Sequence, residues 1–141
     1  MIQLLIIVGA FIFLVLGSIH LLYTIFTNKL APRNATTMSG MKKSKLILTS
    51  ETTVWKAWVG FNASHSLGAM FFALIYMPLC IFHFEVIEDT HWFTWLPVAF
   101  SFSYLLLAKA YWFRVPFIGI LIANICFSVS ALMLTFGSTL L

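Results

Sequence analysis

Charge is scarce in this chain of 141 residues: only 9% are Asp, Glu, Lys or Arg, against 62% hydrophobic ones. That balance excludes an ordinary soluble domain. The acids number four, Glu51, Glu85, Glu88 and Asp89, and none lies within an apolar run. A proton pump or a carboxylate-tuned histidine relay therefore lacks its central group. Two cysteines, Cys80 and Cys126, supply no disulfide framework and are expected to lie at different depths, unpaired. No internal repeat suggests an inverted-repeat transporter, and no ring of charges or carbonyl filter suggests a channel.

What the chain does have is long apolar runs. Crossing hydrocarbon takes about 20 mostly apolar residues, and four runs qualify, at about 2–27, 54–82, 92–110 and 115–141. The expected fold is all-α, a single four-span transmembrane domain over 1–141 forming a four-helix bundle. The first run has no basic residue ahead of it and no small-residue cleavage site, so it reads as a retained span. Ser50-Glu51 reads as the cap of the second, and Pro78 should bend that span near its far end. Pro97 lies close to the first turn of the third, and Pro116 suits the first turn of the fourth. Residues 28–53 read as the one sizeable loop.

The net charge of +4 describes topology and gives no support to nucleic-acid binding. All eight basic residues fall on one side, Lys29, Arg33, Lys42, Lys43, Lys45 and Lys56 after span one and Lys109 and Arg114 after span three. The positive-inside rule makes that side cytoplasmic and puts both termini on the non-cytoplasmic side. Trp55, Trp58 and Trp112 mark one interface and Trp92 and Trp95 the other, as an aromatic belt requires. On this topology the Asn34-Ala35-Thr36 sequon is cytoplasmic and carries no sugar. The basic loop is expected to meet anionic lipid. His83, Glu85, Glu88, Asp89 and His91 match no metal motif and read as a solvated turn on the opposite side.

Polar residues inside the spans share one depth. At 1.5 Å per residue, His20, His65, Ser101 and Asn124 lie about 12–16 Å from the cytoplasmic ends of their helices. Helical spacing puts Asn62, His65 and Ser66 on one face, with Ser101 beside Tyr104 and Asn124 beside Ser128. An unpaired imidazole or carboxamide is costly in hydrocarbon, so these groups should point inward. The candidate ligand-binding set is His20, Asn62, His65, Ser66, Ser101, Tyr104 and Asn124. The plainer account of the same residues is interhelical hydrogen bonding. Gly17 lies one turn from His20 and Gly68 one turn from His65. Gly60, Ser64 and Gly68 form a small-residue row for packing against another span or a partner.

The leading expectation is a non-enzymatic membrane component, an accessory subunit or a binder of a small hydrophobic ligand, in contact with a larger complex or further copies of itself. One alternative is a b-type haem ligated by His20 and His65. Another is an enzyme acting on a lipid- or quinone-like substrate, with a histidine as general base. Ser64-His65-Ser66 is no catalytic dyad, because neighbours in sequence point to different sides of a helix. In hydropathy alone the chain is similar to small four-span bacterial membrane proteins, which would place it in an inner membrane, but no motif names a family.

Overall fold

The computed structural model describes residues 1–137. Among the described residues six helices follow one another: α1 Ile2–Phe26, α2 Ala35–Lys43, α3 Val54–Phe82, α4 Phe84–Asp89, α5 His91–Tyr111 and α6 Arg114–Phe136. Of these, α1, α3, α5 and α6 are long and apolar enough to cross a membrane. Only 22–33% of the apolar window in each is buried within the chain. Large side chains such as Leu4, Phe11, Phe71, Ile75, Phe102 and Ile118 face outward. Such a surface is stable only with lipid as its solvent, and the protein is a multi-pass integral membrane protein.

The spans begin and end within one residue of the sequence expectation, except that α6 stops at Phe136 and residues 138–141 of the expected fourth span lie outside the described part. Four local expectations are corrected. Residues 28–53 are not all loop, because Asn34 caps α2 by accepting from the backbone N–H groups of Thr36 and Thr37 at 2.8 and 3.2 Å. Thr53, not Ser50, caps α3, its hydroxyl accepting from the Lys56 N–H at 3.3 Å. The reason is a bridge between Lys45 and Thr53 that draws Ser50 and Glu51 into a hairpin. The turn after α3 contains α4, whose Ile87 is buried. Pro97 is the seventh residue of α5, beyond the turn where a missing N–H costs nothing.

The described chain falls into two compact units. The first comprises Met1–Leu16 and Ala69–Leu141. Its centre is aromatic: Phe72 and Phe100 stack with centroids 4.0 Å apart and 10° between planes. Phe13 and Phe127 meet Phe72 edge-on at 5.7 and 5.9 Å. Lipid tails are as apolar as these rings, so burial alone favours nothing here, and shape-specific ring contacts carry the packing. Gly9 allows it, since a Cβ there would lie 2.7 Å from the Phe127 ring. α5 and α6, linked by Trp112 and Phe113, pack as a hairpin. The Thr94 hydroxyl donates to the Ile87 carbonyl at 2.6 Å and ties α4 to α5. Cys80 and Cys126 are both free thiols.

The second unit is Gly17–Gly68, holding one end of α1, one end of α3 and the segment between them. The Trp58 indole N–H donates to the Leu30 carbonyl at 3.2 Å and fixes the start of that segment to α3. Lys29 caps the Tyr23 ring with its ammonium 4.1 Å from the centroid.

Candidate functional site

The buried stripe of α3 runs Asn62, Ser66, Ala69, Ala73, Tyr76 and Cys80, in alternating steps of four and three. This is the inward seam of a packed helix, and two polar residues sit at its loop-side end. Asn62 is 7% exposed in hydrocarbon-spanning sequence, so its amide needs partners. Its Nδ2 donates to the Trp58 carbonyl at 2.8 Å. A carbonyl only accepts, so the amide is turned with Oδ1 toward α1, where it lies 2.9 Å from His20 Nε2. In its neutral form His20 must therefore carry its proton on Nε2, an assignment that rests on this network. Ser66 donates to the Asn62 carbonyl at 2.8 Å. Thr24 donates to the His20 carbonyl at 2.8 Å, so the backbone on both sides is satisfied from within.

His65 lies beside this pair, with ring centroids of the two histidines 5.9 Å apart and planes at 66°. Phe61 lies nearly parallel to the His65 ring, 6.1 Å away and 20° inclined, and is itself 68% exposed. His20, Asn62, His65 and Ser66 are thus brought together in one cluster, with the exposed Phe61 ring beside His65.

The first unit contains a separate polar pair. Asn124 Nδ2 donates to Ser101 Oγ at 2.9 Å, while the Ser101 hydroxyl donates to the Pro97 carbonyl at 2.7 Å. Tyr104, on the same helix, packs its ring on Phe100 and Phe13 at 4.7 and 5.4 Å. Gly17 is buried, but Gly60, Ser64 and Gly68 are exposed, and a Cβ at Gly60 would meet nothing within 4 Å. The small-residue row therefore faces outward. Sequence reasoning missed Thr94 and Ser130, both buried; Ser130 donates to the Cys126 carbonyl at 2.7 Å. No signal marks them: Ser130 bonds its own helix, which leaves no periodic trace, and the partner of Thr94, Ile87, lies in a stretch that reads as a solvated turn.

Chemically, the histidine cluster offers hydrogen-bond donors and acceptors. Ligation of a haem iron through His20 Nε2 would require the bond to Asn62 to be given up. At the opposite end of α3, His83 Nδ1 lies 3.6 Å from Glu85, both well exposed, and no group of three metal-binding side chains occurs among the described residues. The fold defines a class, the small multi-pass membrane proteins. No family model, curated protein or solved structure matches the chain.

Proposed function

We propose that this protein holds a small hydrophobic ligand carrying one polar group, a quinone- or lipid-like molecule, and performs no chemistry on it. His20, Asn62, His65 and Ser66 form the polar end of the site; Ser101, Tyr104 and Asn124, the rest of the expected set, belong to the first unit. The observation that carries this reading is the His20–Asn62 bond of 2.9 Å set beside the partly exposed His65 and the exposed Phe61 ring. A ligand entering from the bilayer meets the Phe61 ring and the His65 imidazole side by side. The proposed orientation keeps the basic loop cytoplasmic and both termini outside, supported by all eight basic residues falling on one side.

The test is mass spectrometry of full-length protein extracted with its native lipids. One enriched amphiphile should accompany the protein, be lost in His65→Leu and Asn62→Leu, and persist in Glu88→Gln. Bulk lipid alone in every variant would overturn the reading. A Soret band that disappears in both His20→Ala and His65→Ala would replace it with the haem carrier, and turnover of the enriched molecule would replace it with the enzyme.

A second reading, an accessory subunit, draws on the outward row Gly60, Ser64 and Gly68. Crosslinking from that row in native membranes should recover one dominant larger partner, and recovery of monomer alone would remove this reading.

A further inference from the structure

The segment between α1 and α3 combines two features that its sequence shows separately. It carries Lys29, Arg33, Lys42, Lys43 and Lys45 against one acid, Glu51. It also holds apolar side chains away from every core. The Lys45–Thr53 bridge, reinforced by the Val54 N–H on the Ser44 carbonyl at 3.0 Å, closes residues 46–52 into a tip. The tip turns where the Glu51 N–H meets Thr49 Oγ1 at 3.2 Å. Ile47 and Leu48 stand on it 108% and 92% exposed.

Two bulky aliphatic side chains on a closed tip have no partner in the second unit, and water is a poor one. The segment is anchored at both ends by spans, ending α1 at Phe26 and starting α3 at Val54, so the headgroup layer of the same membrane face is within its reach. Lys42 and Lys43 occupy the last turn of α2, and together with Ala35, Met38 and Ser39 they line an open hollow of about 390 Å³. That is space for a phosphate-bearing headgroup, with two lysines in its lining. Lys45 stands at the bridge, between hollow and tip.

We infer that this segment is a binding element for anionic phospholipid: Lys42, Lys43 and Lys45 take the headgroup phosphate, and Ile47 and Leu48 enter the boundary between headgroups and acyl chains. The charge complementarity is that of a polybasic stretch on an anionic leaflet. The apolar tip supplies what a basic stretch alone lacks, a fixed depth. The element is independent of the histidine cluster.

The test uses full-length protein with Cys80→Ala and Cys126→Ala, an environment-sensitive fluorophore on Leu48→Cys, and nanodiscs of phosphatidylcholine with or without phosphatidylglycerol. Emission should shift to the blue only with phosphatidylglycerol, return in about 1 M salt, where screening acts over about 3 Å, and fail to shift in the Lys42→Gln, Lys43→Gln, Lys45→Gln variant. Glu88→Gln should leave the shift intact. The same label on Ile47→Cys provides a second site, and an unchanged melting curve shows that the glutamine variant is folded. Equal emission in both discs, whether exposed or inserted, overturns the inference. A shift present in native membranes and absent from phosphatidylglycerol discs assigns the tip to a protein partner and overturns it as well.

Discussion

The Tyr76 hydroxyl donates to the Phe93 carbonyl at 3.3 Å, and Phe93 is the residue whose helical donor Pro97 removes. In an α-helix the N–H four residues on would satisfy that carbonyl, and proline has none. Phe93 lies between Trp92 and Trp95 near the start of α5, and there α3 supplies the donor from outside the helix. Tyr76→Phe should cost about 1 kcal/mol, between the average of about 0.6 and the maximum of about 1.7 kcal/mol measured for such bonds in a membrane protein. Pro97→Ala restores the N–H. In that background Tyr76→Phe should cost clearly less, and a reversible unfolding assay on the four members of the cycle measures the difference. Equal costs in both backgrounds would show that the phenol and the proline are unrelated.

Gly9 and Phe127 form a second dependent pair. The Phe127 ring is 1% exposed and bounded by Phe13 and Phe72, so it cannot swing clear of a new methyl group. Gly9→Ala should destabilise the protein by about 1–3 kcal/mol, the usual range for overpacking, although alanine is the better helix former. Phe127→Leu should recover part of the loss in the Gly9→Ala background. Gly60→Ala, with open space around its Cβ, should leave the melting temperature of the purified protein unchanged or slightly raised. A drop as large as that of Gly9→Ala would place a neighbour at Gly60.

The spans were legible because lipid imposes one length and one composition on every crossing helix. α2 was not, because Thr36, Thr37 and Gly40 weaken its propensity while its start depends on the single Asn34 cap. Thr53 could not be recognised as a cap from its neighbours, since pairing with Lys45 decides where α3 begins. At the site, matched depth and helical spacing were enough to bring His20, Asn62 and His65 together. Spacing alone does not say which way a face points, and the Gly60, Ser64 and Gly68 row faces outward. The proton position on His20 was out of reach, because it follows from the way the Trp58 carbonyl orients the Asn62 amide.

That proton position gives the last prediction. If Asn62 Oδ1 accepts from His20, the neutral imidazole has a pyrrole-type Nε2 and a pyridine-type Nδ1, two nitrogens that differ widely in ¹⁵N chemical shift. Spectra of protein with labelled histidine, assigned by His20→Phe, should show that pattern, and the reverse tautomer would refute the network. Asn62→Leu leaves the Nε2–H of the part-buried His20 facing an apolar side chain and should cost about 1 kcal/mol, the low end for an unsatisfied donor. Replacing both partners, with His20→Phe and Asn62→Leu, should cost less than the two single changes added, because neither orphan then remains. Strict additivity would mean that the contact of 2.9 Å contributes nothing to stability, whatever its geometry.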